Sequence, residues 1–482
     1  MARDERKQFS AEIDVKNSGA DVDGTADFFM KVQPASRDFL SSIRISPKYI
    51  VKLGYGYLLS PRLCLLIVSI LAVSFSTSAE SEKLKWQDLC PKFDLVNGLF
   101  FVGLLVVVMF VYLDFTPKPT YLLDFACYRP PDDLKVSKDE FIELARKSGN
   151  FSEASIEFQQ RVLKSCGIGN ESYMPRVVFR PDHNITLNDG REEAAMTMFG
   201  AINELLAATK IRPRDIGILV VNCGVLNTTP SLSSMVINHF KLKNDVQSFN
   251  LGGMGCAAGI VAIDVAKDLL KVYPGTYALV VSTEAVSFTW YKGNDRDKLI
   301  SNCFLRMGAA AMLLSSSRYH RWRAKYELKH LLRTHQGMHD TSFKSMHIAE
   351  DAKGTQGVSI NDNAVEALLS SVSWHLKFLT NKTRLFEHIC IVATSKKVLD
   401  EIEMKLELTE DNTEAARKTL ERFGNTSSSS IWYELAYLES STNIKNGHRI
   451  WQISFGSGIK CNSLVWKALK NIGSTNQSPW EC

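Results

Sequence analysis

The sequence predicts a large α/β body carried behind a membrane hairpin. Three observations lead there. Short β-rich apolar runs alternate with amphipathic helical stretches through residues 120–482. Two uncharged apolar segments precede that region. The composition is that of a folded chain: of 482 residues, 45% are hydrophobic and 23% charged, which excludes a disordered or fibrous protein. At roughly 150 residues per domain, the length corresponds to about three structural units. The 57 Lys+Arg against 52 Asp+Glu leave a net charge of +5, too slight and too evenly spread for a nucleic-acid partner. Ten cysteines without a C-x-x-C pair fit neither a disulfide framework nor a structural zinc site, and no metal is expected.

Residues 1–45 are polar and aperiodic and predict a disordered tail. Residues 46–115 predict the hairpin, with spans at about 63–79 and 95–113. The second run is free of charge, and at about 1.5 Å per residue it nearly crosses a hydrocarbon core of roughly 30 Å. Runs of this length favour a span over a buried core helix. The first begins too far along the chain for a cleavable signal peptide. Arg37, Arg44, Lys48, Lys52 and Arg62 precede the first span, whereas Lys83, Lys85 and Lys92 of the connecting loop stand among acidic residues. By the positive-inside rule both termini, and the body, face the cytosol. Thr116-Pro117-Lys118-Pro119 then breaks the helix.

Within the body, strands are expected at 216–222, 246–251, 277–282, 389–393 and 450–455, and helices at 192–209 and 257–270. The most informative segment is N-L-G-G-M-G-C-A-A-G, residues 250–259. Its glycines permit a sharp strand-to-helix turn, and Cys256 falls where a helix begins. Unpaired N–H groups and the helix dipole are expected to lower the thiol's pKa and make it a nucleophile. On spacing alone, a small buried cysteine in a tight turn accounts for the segment equally well. Cys223, at a strand end, Cys390, within a strand, and Cys64 read as inert.

That segment resembles the nucleophile region of plant 3-ketoacyl-CoA synthases, the condensing enzymes of very-long-chain fatty acid elongation. Further blocks carry the resemblance in order: D-I-G-I-L-V-V-N-C from Asp215, T-P-S-L-S-S-M-V-I-N-H from Thr229, Y-A-L-V-V-S-T-E from Tyr277 and W-Y-K-G-N-D-R from Trp290. S-N-C-F-L-R-M-G from Ser301, R-T-H-Q-G from Arg333, R-F-G-N-T-S-S-S-S from Arg422 and F-G-S-G-I-K-C-N-S from Phe455 complete them. The resemblance runs over roughly residues 45–470. It implies a thiolase-like fold of two similar halves, 116–330 with the nucleophile and 331–482, in layers α-β-α-β-α. It also implies an acyl-Cys256 intermediate, with Asn425 as a hydrogen-bond donor to the enolate and Gly456 and Gly458 in a turn beside the nucleophile. No cofactor is implied.

One departure stands out. The family reads F-E-H-F-C-I-H-A-G-G-R-A-V-L-D where this chain has F-E-H-I-C-I-V-A-T-S-K-K-V-L-D from Phe386, which places Val392 at the family's catalytic histidine. Thr394 and Ser395 stand for the following glycines, and residues 370–384 form a shorter stretch than in the family. His388 lies four residues back on the same strand, about 13 Å away at roughly 3.3 Å per residue. His335 and His239 match other family histidines of supporting kind, and His375 has no evident place.

Two functions follow from the resemblance. One is a synthase condensing long-chain acyl-CoA with malonyl-CoA in the endoplasmic reticulum membrane, as a homodimer or a heterodimer with related synthases, beside the elongase reductases and dehydratase. The other is a catalytically impaired homologue with a regulatory or structural role. A cysteine hydrolase is disfavoured, since no His–Asn/Asp pairing shows in the spacing. With a cytosolic body, the sequons at Asn150, Asn170 and Asn227 are expected to stay unmodified.

Overall fold

The computed structural model describes Gly103 and residues 118–481, apart from 182–183, 362, 381–385 and 474–477. The expected tail and, but for Gly103, the expected hairpin lie outside the described residues. Among the described residues, no helix is long and apolar enough to cross a membrane.

The strands are β1 (Tyr121–Cys127), β2 (Lys135–Val136), β3 (Ser172–Tyr173), β4 (Ile216–Asn222), β5 (Gln247–Leu251), β6 (Tyr277–Thr283) and β7 (Ala309–Ser315). They continue with β8 (Tyr326–His335), β9 (Met346–Glu350), β10 (Gln356–Ile360), β11 (His388–Ile391), β12 (Arg449–Gly456) and β13 (Lys460–Ala468). Nine of them form one mixed sheet in the order β11-β12-β13-β8-β1-β7-β6-β4-β5, while β9–β10 and β2–β3 form separate ribbons. Strands before residue 316 fill one end of that order and strands after 325 the other. The two groups meet only where β1 pairs with β8, at Tyr121↔Glu327 and Leu122↔Tyr326. Beside this seam, buried Lys325 donates its N–H to Leu122 O at 3.0 Å. Its ammonium reaches Asp124 at 2.7 Å and Glu439 at 2.8 Å.

The alternation within β4 shows why its apolar run is continuous. Ile218 and Val220 share a core with Ile260 and Ile263 of the helix Ala258–Val272. Leu219 and Val221 share another with Ala194, Met198 and Ala201 of the helix Leu187–Thr209. With helices on both faces, every second residue meets one of them, so none is left to face water. Thr186 starts the longer helix with a capping box to Asp189.

The helix Ala258–Val272 packs on β4 and β6 from one side and on β12 and β13 from the other. Neighbours in β13 show the next layer. Asn462 turns inward and donates to Ala257 O at 3.0 Å, whereas Ser463 turns outward to His375 of the helix Asn363–Thr380 at 2.8 Å. Helix, one part of the sheet, helix, the other part of the sheet and helix therefore succeed one another, the layering that the resemblance implies.

Candidate active site

Two turns from distant parts of the chain build the site. After β5, Gly255 adopts φ +56° and Cys256 lies in the short 3-10 turn Gly255–Ala257, which feeds directly into the helix Ala258–Val272. The end of β12 presses against this turn. A Cβ on Gly456 would stand 2.4 Å from Met254 O and 2.8 Å from Ala257 N, so only glycine permits the approach. Asn425 follows the helix Glu410–Phe423 and is locked by its backbone. Its N–H donates to Phe304 O at 3.0 Å, and its carbonyl accepts from Arg306 N at 2.9 Å. Its Oδ1 accepts from Ser427 N at 2.8 Å, and the residue lines the cavity together with Cys256.

Ser427 holds φ +59°, uncommon for a residue with a Cβ. Its hydroxyl donates to Glu284 Oε2 at 3.1 Å, and the residue lines the cavity beside Cys256. Glu284, directly after β6, also accepts from Gly224 N at 3.0 Å, Val225 N at 3.0 Å and the Cys223 thiol at 3.3 Å. These groups form the polar corner of a cavity of about 520 Å³ whose remaining wall is mostly apolar, including Ile300, Phe304, Val358, Ile360, Leu368 and Ile459. A mostly apolar cavity with a few convergent polar groups is the form of a small-molecule site.

The electrostatics reverse one expectation. Burial, the largest effect, pushes the Cys256 thiol up to about 11; Ser427 and Asn425 pull it down, and the Glu284 carboxylate adds to the rise. Desolvation of a thiolate in this enclosure outweighs what the helix terminus supplies. The resting group at neutral pH is a thiol that needs a proton acceptor. Burial likewise raises Glu284, against the four bonds it accepts.

The other expected residues divide. Cys256, Asn425, His335, Gly456 and Gly458 all line the cavity. His335 is an exposed rim residue whose Nδ1 accepts from Gly337 N at 2.8 Å. His388 is not among the lining residues: its Nε2 is 3.1 Å from His448 Nδ1, at the opposite end of β11. It supports β11, not the site, because the strand carries it away from Cys256. Val392 is 0% exposed and belongs to the core, while Thr394 and Ser395 line the cavity. His239 stacks on Phe199 at 4.0 Å between centroids, a packing role. His375 bridges Thr334 and Ser463 and is likewise outside the cavity.

Three of the lining residues not singled out from sequence bear on the chemistry. Glu284 and Ser427 lie inside the quoted blocks but carry no spacing signal of their own. His347, on β9, has a buried Nδ1 without a hydrogen-bond partner among the described residues, as does Thr394 Oγ1.

Residues 112–428 match the FAE1/Type III polyketide synthase-like protein family. The chain is 42% identical over 477 residues to 3-ketoacyl-CoA synthase 4 of Arabidopsis thaliana, covering 92% of each protein. It is 43% identical over 479 residues to 3-ketoacyl-CoA synthase 11 of the same plant, covering 92% of this chain and 93% of the relative. Among solved structures, it resembles PKS-I from the brown alga Ectocarpus siliculosus, at TM-score 0.63 and 18% identity over 73% of this chain and 99% of the other. It also resembles 1,3,6,8-tetrahydroxynaphthalene synthase from Streptomyces coelicolor, at TM-score 0.62 and 19% identity with the same coverage. At such identities these structures establish a thiolase-like, type III polyketide synthase fold. The close relatives, matched over nearly their whole length, establish the rest: the chain belongs to the 3-ketoacyl-CoA synthase family.

Proposed function

We propose that this chain condenses a long-chain acyl-CoA with malonyl-CoA, the carbon–carbon bond-forming step of very-long-chain fatty acid elongation. The observation that carries this reading is Cys256, grouped with Asn425, Ser427 and Glu284 at the polar corner of a mostly apolar cavity of about 520 Å³. Cys256 attacks the acyl thioester and CoA leaves. The acyl chain lies along the apolar wall, where each buried methylene contributes about 0.8 kcal/mol. Malonyl-CoA then loses carbon dioxide, and its enolate carbon attacks the acyl-cysteine, expelling Cys256 and releasing a 3-ketoacyl-CoA two carbons longer. The Asn425 amide faces the developing oxyanion, and the Phe455–Gly458 turn offers backbone N–H groups beside it.

With Val392 at the histidine position, one oxyanion donor is missing, at a typical cost of about 10²–10³ in rate. That residue favours a second reading, a slow or silent synthase that acts on active relatives. The chain's apolar segments at 63–79 and 95–113 support anchorage in the endoplasmic reticulum membrane with the body in the cytosol. There it works beside the elongase reductases and dehydratase, as a homodimer or paired with a related synthase. A glycan at Asn150, Asn170 or Asn227 would overturn that topology.

The test is incorporation of labelled malonyl-CoA into longer acyl products by microsomes expressing the chain. Product that disappears in Cys256→Ala supports the synthase. No product, with activity appearing in Val392→His or in the cavity-facing Thr394→His, supports the silent homologue.

A further inference from the structure

We propose that Glu284 is the proton acceptor for Cys256, reached through the hydroxyl of Ser427, in a chain that lacks an imidazole at residue 392. This deepens the acyl-transfer reading above and rests on it.

The geometry is that of a relay. Ser427 Oγ donates to Glu284 Oε2 at 3.1 Å, and Ser427 lines the same corner of the cavity as Cys256, its turn packed on the nucleophile turn. Gly224 N, Val225 N and the Cys223 thiol hold three of the carboxylate's remaining acceptor positions. With Ser427 included, its roughly four lone-pair sites are filled. Gly224 and Val225 are backbone donors that stay in place, so Ser427 supplies the one oxygen-borne proton able to move onto Glu284. Asn425 Oδ1 binds Ser427 N at 2.8 Å and holds that residue at φ +59°. Such a conformation persists where the surroundings impose it. Here it places the hydroxyl between thiol and carboxylate.

The step balances within the site. The Cys256 S–H proton passes to Ser427 Oγ while the Ser427 O–H proton passes to Glu284 Oε2. A thiolate, an unchanged hydroxyl and a carboxylic acid result. When the thiolate attacks the acyl-CoA carbonyl, the new C–S bond forms and the bond to CoA breaks. The departing CoA thiolate takes the proton back along the same path. The transfer moves one negative charge from Glu284 to Cys256, so two anions never stand side by side in a dry enclosure. Burial raises Glu284 above the usual carboxylate value, and a raised carboxylate is the stronger base.

A purely structural Glu284, pinning the turn after β4, would share these hydrogen bonds, so the test must separate the two roles. Other titratable or charged groups near the pair are Cys223 after β4 and Glu193 of the helix Leu187–Thr209. On the cavity wall stand His335, Lys460, His347 and Lys397. The readout is the rate at which iodoacetamide alkylates Cys256 in the full-length, detergent-extracted protein, followed by mass spectrometry from neutral to alkaline pH.

At neutral pH, Glu284→Gln and Ser427→Gly should both lose on the order of 10²-fold or more in rate. Ser427→Gly suits the positive φ and so removes the hydroxyl without adding strain. In alkali both should converge on the parent, since hydroxide then removes the proton. Added formate should restore Glu284→Ala and leave Ser427→Gly unimproved. An unchanged neutral rate in both variants would overturn the relay, as would a deficit that persists into alkali. Condensation is measured on the same preparations. Alkylation that follows the relay pattern without any condensation would leave the relay standing and sink the synthase reading.

Discussion

Replacing Gly456 with alanine is the sharpest probe of how β12 positions the nucleophile. The new Cβ would stand 2.4 Å from Met254 O and 2.8 Å from Ala257 N, both backbone atoms that cannot rotate away. Ordinary contact begins near 3.4 Å, so the strand end and the nucleophile turn must part by about 1 Å. A displacement of that size typically costs about 10²-fold in turnover, and overpacking of this kind roughly 1–3 kcal/mol in stability. The assay pairs malonyl-CoA incorporation with thermal unfolding of the same variant. Gly275→Ala is the control: Gly275 has φ +82° but nothing within 4 Å of the new Cβ, so it introduces backbone strain alone, away from the site. Wild-type turnover in Gly456→Ala would refute the claim that this contact sets the position of Cys256.

Three further outcomes follow from the same structure. Burial lowers His375 to about 4 from 6.5, so between those values the unfolded chain takes up a proton that the folded one refuses. Stability is therefore fully present above pH 6.5 and lost as pH falls towards 4, by about 3 kcal/mol at most. His375→Gln should flatten the acid limb in urea titrations. His388→Ala should leave malonyl-CoA incorporation at the wild-type level, because that imidazole meets His448 and not the cavity; a large loss would contradict its placement. Ile360→Trp, in the apolar wall, should shift products to shorter chains, each excluded methylene forfeiting about 0.8 kcal/mol, with gas chromatography of the acyl products as the check.

Most of the strands expected from sequence are buried on both faces, β5 being the half-exposed exception. β4 and β6 are continuous apolar runs, and the expected 216–222 and 277–282 match Ile216–Asn222 and Tyr277–Thr283 within a residue. β8 was missed because Y-E-L-K-H-L-L-R-T-H is half exposed and carries charges where its outward positions meet water. β13 begins with a lysine and carries polar Asn462 and Ser463, one on each face, so its apolar content is diluted. At the site, Cys256 and Asn425 were legible because each sits in a distinctive block. Glu284 was not, since a carboxylate at a strand end looks like any solvated charge until Gly224, Val225, Cys223 and Ser427 converge on it from elsewhere in the chain. The thiol's upward shift was illegible for the same reason. A helix start is local and visible in sequence, whereas the enclosure that overrides it is assembled from residues hundreds of positions away.

The short seam between β1 and β8 gives the reactive centre a mechanical duty. Only two register pairs hold the strand groups edge to edge, with the Lys325 cluster beside them. A shared apolar core and the helix Ala258–Val272 join them as well, and the centre itself adds to that cohesion. Cys256 and Glu284 come from chain before the seam, and Asn425, Ser427 and Gly456 from chain after it. The bond from Ser427 to Glu284 and the pressing of Gly456 on Met254 thus act as rivets through the joint. An acyl group seated on Cys256 adds another, and the enzyme should be hardest to melt in the middle of its own catalytic cycle.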